Sequence, residues 1–375
     1  MIDALFRPTD ALVASQITCI VPRQGPAAYH QALGALGVVE YTLQSARRTL
    51  LSEQRQRRGV RPLLEELVDV VRFRVPTAAE DALVSALTER FAFGEPGRGS
   101  LVIRRSVLAG ASPRATEIER PSGASRPKEE LAGLCCIVPR GEGQAIARVS
   151  LEAGLGAPVV TYAKGVGSRG KLGLIRITIP VEKEIVTIQL SRHDIDEAFR
   201  LVSDVMKLGR PGAGFCYWYP LSGGVLDTRI WVGRQPYVAS MEQVIAALDV
   251  MTGGTAWRRK TERAGGAPIS QGGAPAQASY TINGPEGETE AALGAALEAG
   301  AGGATQSLIR LERLDGDQHR SSAREVTDLV VAADALPRIH GAVTGVGALE
   351  RDSFVEIAGV GAAGGYHTSR TSRKE

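Results

Sequence analysis

Cysteine is scarce in this chain: four in 375 residues, with no CxxC pair. That excludes a disulfide framework and a cysteine-based zinc site. Cys19 and Cys136 hold matching places in apolar, strand-like runs, Cys135 adjoins the latter, and Cys216 lies in another such run. Thiols in that setting are expected to pack as small hydrophobes. The five histidines, His30, His193, His319, His340 and His367, show neither HExxH nor His–Cys spacing, so no metal ligand is expected among them. An apolar run of about 20 residues is missing, and with it the expectation of a spanning helix. No basic head followed by an apolar stretch marks secretion, which makes the cytoplasm the expected compartment. GxSxG, GxxxxGK[ST] and spaced carboxylate pairs are missing too, and the chain is not expected to be an enzyme.

What is present is internal repetition. Phe93-Gly94-Glu95-Pro96-Gly97-Arg98-Gly99 returns as Leu208-Gly209-Arg210-Pro211-Gly212-Ala213-Gly214. In nearly the same register Cys19-Ile20-Val21-Pro22-Arg23 returns as Cys136-Ile137-Val138-Pro139-Arg140. Two motifs at one domain-sized period indicate duplicated domains, not a solenoid. The length fits two or three domains, and 43% hydrophobic with 23% charged residues supports ordinary cores.

The first unit, 16–110, reads strand, helix, strand, strand, helix, strand, the order of a ferredoxin-like plait. Thr77 and Glu80 have capping-box spacing ahead of its second helix. Residues 111–131 read as a linker rich in Pro, Ser and charge. The second unit, 132–222, repeats the order. There Ser191 and Asp194 open a helix with apolar residues at Ile195, Ala198, Phe199, Val202, Val205 and Met206, one helical face. Trp218, in its last strand, is expected to meet a neighbouring domain or subunit. A weaker third unit is placed at 278–362, because Leu297-Glu298-Ala299-Gly300 echoes Leu151-Glu152-Ala153-Gly154. A strand–helix–strand segment, 223–263, is left over, followed by a Gly/Pro-rich stretch, 264–277. Either this segment extends the second unit, or it begins the third and the final strand–helix–strand is the surplus. The tail, 363–375, reads as disordered. The expected fold class is therefore α+β: three tandem βαββαβ domains.

On these residues the chain resembles the PII signal-transduction family. In the second unit Lys164-Gly165-Val166-Gly167 is similar to the run that opens the family's T-loop, and Gly209, Gly212 and Gly214 keep the spacing of its B-loop. The first unit keeps that spacing at Gly94, Gly97 and Gly99 without the lysine run, and the third matches loosely at Thr344-Gly345-Val346-Gly347. Family members are homotrimers of single plaits, with ATP or ADP between neighbours and T-loops gripping a transporter or enzyme. The resemblance thus implies an intrachain pseudo-trimer, a non-enzymatic regulator of a protein partner.

The resemblance implies a nucleotide site on Gly94, Gly97, Arg98 and Gly99, on Lys164, Gly165 and Gly167, and on Gly209, Arg210, Gly212 and Gly214. Successive N–H groups of a Gly-rich turn reach phosphate, yet the same glycines serve a tight helix-to-strand turn. The family's basic residue after the last glycine is replaced by Ser100 and Phe215, and its 2-oxoglutarate glutamine by Arg169. The second T-loop is cut to about 168–172. The first unit instead carries Arg47, Arg48, Arg55, Arg57, Arg58 and Arg61 against Glu53, a basic window suited to an acidic partner. Nucleic acid is not expected, since the net charge is only +3 and no aromatics interleave those arginines. The alternative is a scaffold that self-associates into higher oligomers or filaments without nucleotide, with 223–263 supplying a sheet edge.

Overall fold

The computed structural model describes residues 6, 8, 11–52, 61–110, 130–167, 182–208, 210, 212–232, 247–248, 251, 276–315, 318–349 and 352–365. The chain is mixed α/β and its strands form one large sheet. In order these are β1 (Leu12–Pro22), α1 (Pro26–Gly34), β2 (Glu40–Ser52), β3 (Leu63–Pro76), α2 (Glu80–Phe91) and β4 (Ser100–Gly110). Next come β5 (Leu131–Pro139), α3 (Gly143–Glu152), β6 (Val159–Gly167), β7 (Glu182–Ser191), α4 (Ile195–Met206), β8 (Phe215–Leu221), β9 (Gly223–Val225) and β10 (Trp231–Val232). Last are β11 (Gln277–Pro285), α5 (Glu290–Glu298), β12 (Gly303–Asp315), β13 (Gln318–Ala332), α6 (Leu336–Gly345), β14 (Phe354–Val360) and β15 (Ala362–Gly365).

Three stretches of the sheet share one connectivity. The neighbours run β2-β3-β1-β4, then β6-β7-β5-β8, then β12-β13-β11-β14. In each stretch two helices cover one face, and strand alternation divides the side chains accordingly. Ile17, Cys19 and Val21 of β1 pack with Leu83 and Leu87 of α2. Cys136 and Val138 pack with Ile195, Phe199 and Val202 of α4, the face that its spacing predicts. Tyr280 and Ile282 pack with Leu293 of α5 and Ile339 of α6. All four thiols are buried.

The stretches join in a cycle. Residues 107–110 of β4 pair with 354–357 of β14. β9, which follows β8, pairs with 101–103 of β4. β15, which follows β14, pairs with 215–218 of β8. On the opposite edges β2 pairs with both β12 and β6, and β12 pairs with β6. The first stretch thus reaches the third, the third the second, and the second the first. The faces turned away from the helices enclose a central cavity of about 160 Å³.

Several local expectations change. Thr77 and Glu80 make no capping box; α2 has no side-chain cap, and the Glu80 carboxylate accepts from Ser15 Oγ at 2.6 Å. Residues 363–365 are not a disordered tail but part of β15. Within 223–263 the described strands β9 and β10 are used inside the chain, on β4 and β2. Of the helix expected at 241–250 only 247–248 are described, and they are helical; its other residues and the stretches 111–129, 168–181 and 264–275 lie outside the described residues. Among the described residues no helix is long and apolar enough to cross a membrane.

Candidate functional site

The first Gly-rich turn joins α2 to β4. The helix ends on left-handed Ala92, and Gly94, Gly97 and Gly99 follow with φ of 107°, 88° and 111°. Gly99 is required twice over, since a Cβ there would lie 1.9 Å from the Ile20 carbonyl oxygen. The turn gathers N–H groups on one point, and that point is occupied by a carboxylate of the same chain. Asp227 accepts from the Gly97 amide at 2.8 Å and from the Gly99 amide at 3.2 Å. The Arg229 amide adds a bond at 2.9 Å. Asp227 is itself held by its own amide on Ser100 Oγ at 2.8 Å.

Two guanidiniums complete the arrangement. Arg48 pairs with Asp227 and, at 2.8 Å, with Glu66. Arg229 packs on Gly97 and also pairs with Glu66. Burial pushes the Glu66 carboxyl up, but the two arginines outweigh it and hold the group below its ordinary value. The Gly97 and Gly99 amides are thus taken by a carboxylate of the chain itself. Arg98, placed there by sequence, turns away to an exposed pair with Glu95 at 3.3 Å.

The second turn repeats the backbone without the plug. Lys207 is left-handed, and Gly212 and Gly214 have φ of 81° and 117°. A Cβ on Gly214 would lie 2.3 Å from the Ile137 carbonyl oxygen, as Gly99 does against Ile20. The Arg210 and Ala213 amides close the turn on Lys207 and Arg210 carbonyls. Among the described residues no carboxylate accepts from the Gly212 or Gly214 amides; Gly209 lies outside them. Lys164, Gly165 and Gly167 close β6, as the strand-end reading expects, and pair with Gln306, Thr305 and Gly303 of β12; the loop expected at 168–172 lies outside the described residues. Of the third unit's loose match, Gly347 has φ of 67° and donates to the Thr344 carbonyl.

The basic window is largely tied down where it is described. Arg48 is 2% exposed and belongs to the Asp227 network, which corrects its assignment to a partner-facing surface. Arg47 pairs with Glu65 at 2.7 Å and Glu184 at 3.2 Å, and stacks on Tyr162. The Arg61 guanidinium lies 4.4 Å from the centre of the Trp231 ring. Arg55, Arg57 and Arg58 lie outside the described residues.

The central cavity has a mixed lining, apolar residues such as Val70 and Ile309 beside charged ones. Arg74 pairs with Glu356 at 2.6 Å, and Gln16 donates to the same carboxylate at 2.9 Å. Arg104 donates to Ser279 Oγ and the Gly359 carbonyl, and its guanidinium lies over Tyr219. Thr281 donates to Asp328 at 2.7 Å. Burial pushes the Asp328 carboxyl up and the Arg72 guanidinium down. Burial also pushes the Cys135 thiol there up to about 12, so it supplies no thiolate at neutral pH. Among the described residues of its lining no activated nucleophile is found.

Sequence reasoning missed Asp227 and Arg229, and it missed Asp328 and Glu356. A single Asp shortly after a Gly-Gly-Val strand has no spacing signature, and inward-facing charges on strands look like solvent-facing ones. Compared with known proteins, the chain matches no family model and no curated protein.

Proposed function

We propose that the chain is a non-enzymatic PII-like binding protein: three ferredoxin-like plaits fused into a ring equivalent to a trimer. In this reading an adenine nucleotide, ATP or ADP, takes the seam beside the second Gly-rich turn, and a protein partner responds to its presence. The observation that carries the reading is the cyclic strand exchange, in which each βαββαβ stretch adds strand to the last strand of the next. A covalent ring raises the effective concentration of its lobes to roughly millimolar, so assembly no longer depends on protein level. It also frees the three seams to diverge. The first is closed by Asp227, whereas the second keeps its Gly212 and Gly214 turn with Arg210 beside it.

The Asp227 plug also favours a second reading, a nucleotide-free scaffold that self-associates. Sheet edges offer such a scaffold little purchase among the described strands, because the terminal strands β10 and β15 are only two and four residues long. Titration calorimetry of the full chain with ATP, ADP and ATP plus 2-oxoglutarate, beside light scattering, separates the two. The sensor requires one nucleotide per chain, lost in Gly212→Trp with an unchanged circular dichroism spectrum and kept in Arg98→Ala. No nucleotide binding by the folded chain, with mass rising with concentration, selects the scaffold. No binding and a constant monomer mass overturn both.

A further inference from the structure

The seam between the first and third stretches holds a cluster that the sequence spacing does not reveal. His30 lies on α1, while Glu312 and His319 lie on the β12–β13 hairpin. One ligating atom from each falls within 4.8 Å of the others, and among the described residues this is the single such group. The pairing of β2 with β12 sets Tyr41 opposite Glu312, which draws α1 onto the hairpin. The rings of His30 and His319 meet edge to face with centroids 3.7 Å apart.

We infer that His30, Glu312 and His319 form a site for a divalent transition-metal cation that staples the first stretch to the third. The argument begins at His30. Its Nδ1 contacts the Pro26 carbonyl oxygen, which can only accept, so Nδ1 carries the proton. The Tyr41 hydroxyl lies 2.7 Å from the same nitrogen. That leaves Nε2 with its lone pair free, and it is buried with no partner among the described residues. A buried, unpartnered imidazole nitrogen is a cost unless something accepts its lone pair. A metal-ligating histidine typically donates its other ring N–H to a carbonyl, which fixes the tautomer for coordination.

Glu312 supplies the anionic ligand. Its side chain is fully buried, and Oε2 lies 2.6 Å from His319 Nε2. Oε1 is held by Arg310 at 2.7 Å and by Ser321 Oγ at 3.2 Å. Those bonds orient the carboxylate and leave Oε2 toward the two histidines. A cation entering here replaces the proton that lies between His319 and Glu312, so the Arg310 charge is the chief electrostatic opposition. His319 is 38% exposed, which gives the ion a path from solvent and leaves a position for water. Two imidazoles and one carboxylate suit Zn²⁺, Co²⁺ or Ni²⁺ and disfavour Mg²⁺ and Ca²⁺, which prefer oxygen ligands throughout.

The test is a Co²⁺ titration of the untagged, chelator-stripped full chain, followed by visible absorption, with Zn²⁺ competition and thermal unfolding alongside. One equivalent of Co²⁺ is expected, with visible bands of low coordination number, displaced by Zn²⁺. His319→Ala, at an exposed position, should weaken binding at least about tenfold while keeping the circular dichroism spectrum. His30→Ala should do the same, and His193→Ala should not. Zn²⁺ should raise the unfolding midpoint of the native chain but not of His319→Ala. Failure of the folded chain to bind Co²⁺ or Zn²⁺, or equal affinity in His319→Ala and His193→Ala, overturns the site. These results are independent of nucleotide binding at the second turn.

Discussion

The Gly97 amide donates to the Asp227 carboxylate at 2.8 Å, joining residues 130 positions apart in the chain. The contact crosses the seam between the first stretch and the segment that follows the second. It satisfies donors that a Gly-rich turn leaves pointing outward. It also supplies the anion that Arg48, almost wholly buried, requires. One carboxylate therefore closes the turn and locks two stretches of the ring together.

Asp227→Ala removes that carboxylate and leaves Arg48 with Glu66 alone. Breaking a buried ion pair on one side costs about 3 kcal/mol, and a loss of that order is expected in urea unfolding. The vacated turn then presents the Gly97 and Gly99 amides beside Arg48 and Arg229. Sulfate or phosphate should restore part of the lost stability in the variant. The native chain should gain much less at matched ionic strength. Equal gains in both proteins would mean that the turn is not an anion cradle.

The two cavity carboxylates predict opposite responses to acid. Burial pushes the Glu356 carboxyl up, but Arg74, Ser106 and Arg104 outweigh it, so its folded value lies below the ordinary 4.5. A depressed carboxyl contributes stability that is complete above its unfolded value and lost as pH falls through the folded one. Glu356→Gln should therefore be less stable than the native chain at pH 7 and should unfold with a flatter acid limb below about pH 4.5. Asp328 is raised by burial, which makes its charged form a liability at neutral pH. Asp328→Asn should raise the unfolding midpoint at pH 7, with the gain fading as pH falls through the raised folded value and gone by about pH 4. Thermal scans across pH 3–8 check both signs.

The repeated motifs made much of the secondary structure legible. Of the predicted α4 face, Ile195, Ala198, Phe199, Val202 and Met206 are buried and Val205 is half-buried, and all four cysteines are core residues. Trp218 does reach the third stretch, where it abuts Gly361. Illegible were the features made by pairing distant strands. Lys164-Gly165-Val166-Gly167 reads locally as the end of a strand, but nothing in it announces its pairing with β12. Glu80 has the spacing of a helix cap, but Ser15, 65 residues away, takes its carboxylate. Arg48 looks like one of a solvated basic run until Asp227 is set against it. In each case a long-range partner overrides a local preference, and periodicity carries no record of that partner.

Asp69, Glu184 and Glu325 occupy the same register on β3, β7 and β13, opposite the residue before Pro22, Pro139 and Pro285. Each anchors the start of its stretch's first helix. Tyr29 donates to Asp69 at 2.9 Å, the Gly143 amide to Glu184 at 2.9 Å, and Thr289 to Glu325 at 2.6 Å. A carboxylate at a helix N-terminus is favourable both as acceptor and against the helix dipole. Glu184→Ala should cost about 2 kcal/mol, because it leaves the buried Gly143 amide unpartnered. Glu325→Ala should cost less, since the Thr289 hydroxyl can rotate to another acceptor. Urea unfolding of the two variants under one buffer decides the order.

Two glycine-to-alanine changes of opposite sign test how tightly the last seam is packed. Gly361 separates β14 from β15 and donates its amide to the Trp218 carbonyl at 2.9 Å. A Cβ on Gly361 would lie 1.9 Å from Trp218 Cζ2. That ring cannot yield cheaply, because it is 2% exposed and Arg192 lies 4.0 Å over its face. Gly361→Ala should therefore destabilise by about 2 kcal/mol and shift the near-ultraviolet signal of Trp218. Gly341, on the exposed side of α6, has open space where a Cβ would stand. Gly341→Ala should stabilise by about 0.5–1 kcal/mol, through the helix backbone alone. If Gly361→Ala leaves the unfolding midpoint unchanged or raises it, the Gly361–Trp218 contact does not set the packing of that seam.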